Sequence, residues 1–90
     1  MDLQLQKKIA LVSGGAKGIG AAIVRCFAAE GAVPVILGRN PDEAQALIEE
    51  VQCGHSFHVE LTDLGQIQSA VDQVHDQVGE VDILINNAGV

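Results

Sequence analysis

Apolar positions follow two alternating rhythms along this chain, and the alternation lays out an architecture. Residues 8–13 carry the unbroken run Ile9, Ala10, Leu11 and Val12, the pattern of a short strand covered on both faces. From 19 to 30 the spacing becomes helical: Ile19, Ile23, Cys26 and Phe27 are expected on the buried face, Arg25 and Glu30 away from it, with Gly31 as the C-terminal stop. Residues 33–37 read as a second strand; Pro34 lacks an N–H and is expected near its start or at a bulge. Asn40, Pro41, Asp42 and Glu43 then combine a capping side chain, a proline at the first helical position and acids in the first turn. The helix they open has the stripe Ala44, Leu47, Ile48 and Val51, and Gly54 is expected to stop it.

Residues 55–61 switch to period two, with Phe57, Val59 and Leu61 alternating against His58 and Glu60, as in a half-buried strand. Thr62 or Asp63 caps a third helix with Leu64, Ile67, Val71, Val74 and Val78 on its apolar side, ended by Gly79; residues 81–85 form a fourth strand. The order βαβαβαβ predicts an α/β fold, a parallel sheet with right-handed crossovers and helices on both faces. This is one half of a doubly wound sheet plus the start of the next. A fully apolar fourth strand left as an open edge would be an aggregation hazard, so residues 1–90 are expected to be a portion of a longer single domain.

Composition narrows the function. At 48% hydrophobic and 19% charged residues the chain is globular. Its net charge of −7 argues against non-specific binding to nucleic acid or anionic membrane. No run approaches the ~20 apolar residues of a membrane span, and the start of the chain lacks a signal-peptide pattern; a cytoplasmic location is expected. Two cysteines, Cys26 and Cys53, make no disulfide framework and read as reduced thiols.

An anionic ligand must therefore be held by local groups, and the stretch between the first strand and first helix supplies them. Gly14, Gly18 and Gly20 make a G-x-x-x-G-x-G turn. Helix-initial N–H groups have no intrahelical partner and sit at the positive end of the dipole, which stabilises a phosphate. Glycines let the backbone approach and reach positive φ. The alternative, a packing-only turn, is open for this motif alone. A Walker loop is excluded because Lys17 precedes Gly18 and no Ser or Thr follows; a nucleophile elbow is excluded because Ser13 precedes the glycines.

With Asn86, Asn87, Ala88 and Gly89 after the fourth strand, this glycine pattern resembles the two N-terminal signatures of the short-chain dehydrogenase/reductase superfamily. The resemblance covers essentially all ninety residues, with Ser13 where the family has Thr. It implies a Rossmann-type sheet in which Gly14, Ala16, Lys17, Gly18, Ile19 and Gly20 line the pyrophosphate and adjoining riboses. It also implies that Glu60 and Leu61 form the adenine pocket, Glu60 accepting from the exocyclic amine in place of the family's commoner Asp. By the same resemblance Asn86 and Asn87 are expected to brace the sheet and reach the cofactor, with Asn87, Ala88 and Gly89 at the contact. Glu60 is otherwise the exposed partner of an alternating strand, and the asparagines are otherwise turn formers.

Dinucleotide folds that use NAD place an acid about 20 residues beyond the glycine loop. Here Gly38 holds that position, and Arg39, 19 positions after Gly20, lies beside it. A guanidinium suits a 2′-phosphate, and Lys17 can approach the same group. NADP is the expected cofactor, with NAD possible; Arg39 and Lys17 are otherwise solvated surface charges. Cys53, His55, His58 and Glu60 are read as surface residues of an edge strand and not as metal ligands.

The resemblance further implies an oxidoreductase that interconverts a secondary alcohol and a ketone by hydride transfer, acting on a small molecule as a homodimer or homotetramer. The family's catalytic tyrosine, the lysine four residues later and their serine and asparagine partners all follow the fourth strand. These ninety residues contain no tyrosine, so no catalytic residue is assigned among them. The lead-in before residue 7 and the short second helix are similar to bacterial sugar dehydrogenases of the family, such as those oxidising L-fucose, and acyl-carrier-protein ketoreductases share the same N-terminal half. A non-catalytic NADP(H)-binding module would share every residue named.

Overall fold

The computed structural model describes residues 7–14, 18–38, 40–60 and 63–86. Four strands, β1 (Ile9–Ser13), β2 (Val33–Gly38), β3 (His55–His58) and β4 (Ile83–Asn86), alternate with three helices, α1 (Gly18–Ala29), α2 (Pro41–Val51) and α3 (Leu64–Gln77). The strands form one parallel sheet in the order β3-β2-β1-β4. The expected βαβαβαβ order and parallel sheet are both present.

The two central strands are apolar because both of their faces are covered. Val12 and Ile36 pack with Ala21 and Val24 of α1 and Ala44 and Leu47 of α2. Leu11, Val35 and Leu37 pack on the opposite face with Val59 and with Ala70 and Val74 of α3. Pro34 is the second residue of β2. The N–H of its neighbour Val33 donates to Lys8 on the β1 side, so the nitrogen of Pro34 faces the β3 side, where pairing begins only at Val35 and His55. No ladder bond is lost there.

α1 lies on the sheet through a different face than its periodicity suggested. Gly20, Ala21 and Val24 are buried, whereas Ile19 is 72% exposed and Cys26 is exposed. Nearly every position of α1 is apolar, so hydrophobic spacing cannot choose a face; the smallest residues win because they let the helix axis approach the strands. Leu64, assigned to the α3 stripe, is likewise exposed, and Ala70 and Val74 carry that contact.

The helix ends follow local chemistry. The Gly31 N–H donates to Ala28 and the Ala32 N–H to Phe27, with Gly31 at φ 85°, which is a Schellman ending. α2 starts with Asn40 accepting from the Glu43 N–H. It stops earlier than expected, at Gln52 in the left-handed region. Gly54 is required for a different reason. At φ 102° its missing side chain leaves room for the Pro34 carbonyl, which an added Cβ would meet at 2.3 Å.

Candidate functional site

A parallel sheet delivers the carboxyl ends of all its strands to one edge, and the described candidate residues collect there. Ser13 ends β1, Gly38 ends β2, Glu60 follows β3 and Asn86 ends β4. The chain leaves β1 through α1 to β2 on one side, while β4 pairs on the other side of β1 after α3 has crossed the opposite face. The crevice between β1 and β4 is therefore a switch point of the kind where open α/β sheets bind ligands.

The glycine turn borders this crevice. Gly14 has φ 68°, and its N–H donates to the Leu37 carbonyl at 2.8 Å, which ties the loop's first residue to the end of β2. Gly18 opens α1 at φ 58°, and an added Cβ there would meet nothing within 4 Å. Among the described residues nothing fills that direction, and the first turn of α1 holds no acidic residue to compete with an anion. Gly18 and Ile19 are exposed while Gly20 is buried, so the loop pairs an accessible rim with a close helix-to-sheet contact. These features fit a dinucleotide's pyrophosphate: N–H donors, positive φ and glycines in place of side chains at residues 14 and 18.

Across the crevice, Ser13 Oγ donates to Asn86 Oδ1 at 3.1 Å, with the Ile85 carbonyl 3.4 Å away. Ser13 and Asn86 are register partners, so the bond fixes the point from which the chain leaves β4 toward Asn87. At the opposite end of the same pair of strands Asp82 was not singled out from sequence. Its carboxylate accepts from the Ile9 N–H and its own N–H donates to Ile9, both at 2.9 Å. A lone acid within the otherwise apolar expected strand 81–85 was the available signal; the observed strand begins only after it, at Ile83.

On the β3 side the Val59 N–H donates to Gly38 at 2.8 Å, which extends pairing past the end of the strand. Glu60 follows, half-buried. Its N–H donates to the Gln66 side chain at 2.9 Å, and its carbonyl accepts from the Asp63 N–H at 3.0 Å. Of the two capping candidates, Asp63 is the N-cap, accepting from the Gly65 and Gln66 N–H groups. Gln66 was missed from sequence, although a Gln three residues after an N-cap acid is a capping-box signal.

Gly14, Gly18, Ile19, Gly20 and Glu60 are the candidate cofactor residues brought to this edge. Ala16, Lys17, Arg39, Leu61, Asn87, Ala88 and Gly89 lie outside the described residues. His55 and His58 are exposed on the edge strand β3, and the Cys53 thiol faces the Ala32 carbonyl at 4.0 Å. Among the described residues no group of three or more His, Cys, Asp or Glu could hold a metal ion, and no helix is long and apolar enough to cross a membrane.

Comparison with known proteins agrees with this geometry. The family model described as short chain dehydrogenase matches residues 8–90. D-threitol dehydrogenase from Mycolicibacterium smegmatis is 38% identical over 93 residues, a match covering 99% of this chain and 36% of that protein. A 3-oxoacyl-acyl-carrier-protein reductase from Escherichia coli is 37% identical over 89 residues, covering 98% and 36%. Among solved structures, L-sorbose reductase from Gluconobacter frateurii, complexed with NADPH and L-sorbose, superposes with a TM-score of 0.88 at 34% identity, covering 100% of this chain and 36% of that one. The chain thus spans about a third of the length of the relatives it matches.

Proposed function

This chain belongs to the short chain dehydrogenase family, and from that premise we propose that it is the cofactor-binding portion of an NAD(P)-dependent oxidoreductase that interconverts a secondary alcohol and a ketone. The observation that carries this reading is the placement of the positive-φ glycine turn and Asn86 at the switch point between β1 and β4, with Glu60 on the same carboxyl edge of the sheet beyond β2. The bound nicotinamide would accept or supply the hydride. Residues of this chain bind and orient it: Gly14, Ala16, Lys17, Gly18, Ile19 and Gly20 at the pyrophosphate and riboses, Glu60 and Leu61 at the adenine, and Asn87, Ala88 and Gly89 beyond β4. Residues 1–90 serve as part of one longer domain, since they correspond to about a third of each relative.

NADP is the preferred cofactor in this reading. Gly38 leaves no acid at the end of β2 to accept from a ribose 2′-hydroxyl, and Arg39 and Lys17 supply positive charge for a 2′-phosphate. NADPH in the L-sorbose reductase complex supports the same choice. A polyol or sugar is the substrate class, supported by the resemblance to D-threitol dehydrogenase and L-sorbose reductase; the protein works in the cytoplasm as a homodimer or homotetramer.

Direct titration tests the proposal. Cofactor fluorescence is followed as NADPH or NADH is added to the full-length protein. Saturable enhancement by NADPH, stronger than by NADH, is expected, and no binding of either would overturn the cofactor reading. Turnover by the full-length protein is then compared for polyols and 3-oxoacyl thioesters. A second reading, a non-catalytic NADP(H)-binding module, shares every cofactor residue named. Cofactor binding with no turnover of either class would select it.

A further inference from the structure

We propose that Gln66 is a positioning residue for adenine recognition, acting through Glu60, which it holds without itself touching the cofactor. This inference rests on the reading of Glu60 as the adenine acceptor. Gln66 lies on the first turn of α3, six residues beyond Glu60, and its one amide group spans two elements. Oε1 accepts from the Glu60 N–H at 2.9 Å, while Nε2 donates to Asp63 Oδ2 at 3.3 Å. Asp63 closes the ring from the other side. Its N–H donates to the Glu60 carbonyl at 3.0 Å, and its Oδ1 accepts from the Gly65 and Gln66 N–H groups at 2.9 and 3.2 Å.

Both backbone polar groups of Glu60 are thereby anchored to the start of α3. The preceding residue is fixed as well, because Val59 is buried and its N–H is bonded to Gly38. A carboxylate that must meet an exocyclic amine at hydrogen-bond distance depends on where its backbone sits, and Gln66 sets that position at the point where the β3 ladder has ended. Gly65 is part of the same arrangement, since an added Cβ there would press on Asp63 Oδ1 at 3.3 Å. The amide is suited to this position because it donates and accepts at once, as neither a carboxylate nor an ammonium does.

The test compares NADPH with its hypoxanthine analogue, in which the 6-amine is replaced by a carbonyl oxygen, on the full-length protein by fluorescence titration. Wild type is expected to prefer the adenine form, and Glu60→Ala to abolish the preference. Gln66→Ala should weaken NADPH binding about fivefold, the equivalent of one hydrogen bond, and leave the analogue within about twofold. Gln66 is exposed, so its truncation spares the core. Asp63→Asn provides a second variant: Oδ1 still caps α3, but an amide replacing Oδ2 cannot accept from Gln66 Nε2, and the preference should fall in the same direction. A preference lost in Glu60→Ala but intact in both other variants overturns the role of Gln66 alone. A wild type that does not distinguish the two cofactors overturns the adenine reading of Glu60, and this assignment with it.

Discussion

The hydroxyl of Ser13 and the side-chain carbonyl of Asn86 meet at 3.1 Å across the carboxyl ends of β1 and β4, joining the strands that flank the proposed cofactor crevice. A hydroxyl is needed at residue 13 because β4 pairs only with β1 among the described strands and ends at this point. Ser13→Ala is expected to cost about 1 kcal/mol, the net value of one hydrogen bond, and Ser13→Thr only a few tenths because the donor is kept. Urea denaturation of the three proteins checks this; equal midpoints for Ala and Ser would show that the bond does not hold the strand ends.

Gly18 separates backbone strain from ligand space. Its φ of 58° makes any side chain unfavourable, yet a Cβ there would touch nothing. Gly18→Ala should therefore lose only about 1 kcal/mol of stability. NADPH affinity should fall much further, by about tenfold or more, because the methyl group occupies the space before the N–H donors. Thermal denaturation and NADPH titration on the same sample distinguish the two effects. Affinity reduced no more than stability would argue against a pyrophosphate at this turn.

Much of this arrangement was legible in the sequence. Element order and the two-sided burial of β1 followed from the spacing and runs of apolar residues, which few environments but a covered parallel sheet explain. The Asn40 cap and the Gly31 ending followed from side-chain and φ requirements local to a few residues. The face of α1 was not legible, since a helix apolar on nearly all sides presents no stripe, and contact with the sheet favoured Gly20 and Ala21 over larger Ile19. The Gln66 clamp and the Asp82 bond to Ile9 escaped notice for another reason: Asp82 reaches its partner across 73 positions, and Gln66 bonds Glu60 instead of the N-cap residue that a capping box would supply.

Cofactor choice is testable at the end of β2. Arg39→Asp replaces a group suited to a 2′-phosphate with one that repels it and can accept from a 2′-hydroxyl. NADPH affinity is expected to fall at least about tenfold, consistent with loss of a charge-assisted hydrogen bond, while NADH affinity rises. Gly38→Asp should act in the same sense, since a Cβ at Gly38 meets nothing within 4 Å. NADPH binding unchanged by Arg39→Asp would remove Arg39 from the site.

Arg25 of α1 and Glu50 of α2 form a two-pronged pair, Nε to Oε2 at 2.6 Å and Nη2 to Oε1 at 3.1 Å. The hydrogen bond from Arg25, assisted by its charge, holds the Glu50 carboxyl below the usual glutamate range, and the same contact raises Arg25. A depressed carboxyl contributes stability that is present above its unfolded value and is lost as pH falls through the folded one. The effect belongs to the acid side, from the ordinary glutamate range downward, and is small because both side chains are about half exposed. Glu50→Gln should narrow the stability difference between neutral and acidic pH, and added salt should shrink wild type toward the variant. Denaturation midpoints across that range, at low and high salt, check both; identical pH profiles would mean that the pair contributes nothing.

Gln52 offers a stabilising change. It caps α2 at φ 62°, with its N–H donating to the Ile48 carbonyl at 2.9 Å, so the helix ends on a left-handed residue that carries a Cβ. Glycine occupies that region without steric cost. Gln52→Gly keeps the backbone bond and removes the strain, against some added freedom in the unfolded chain. The expected gain is about 0.5–1 kcal/mol, or a few degrees in Tm. Gly54 gives the contrasting control. At φ 102° with the Pro34 carbonyl 2.3 Å from where a Cβ would sit, Gly54→Ala must push backbone against backbone and should destabilise by more than Gln52→Gly stabilises. Calorimetry of both variants tests the pair, and a lower Tm for Gln52→Gly would show that the side chain of Gln52, not its backbone bond, holds the end of α2.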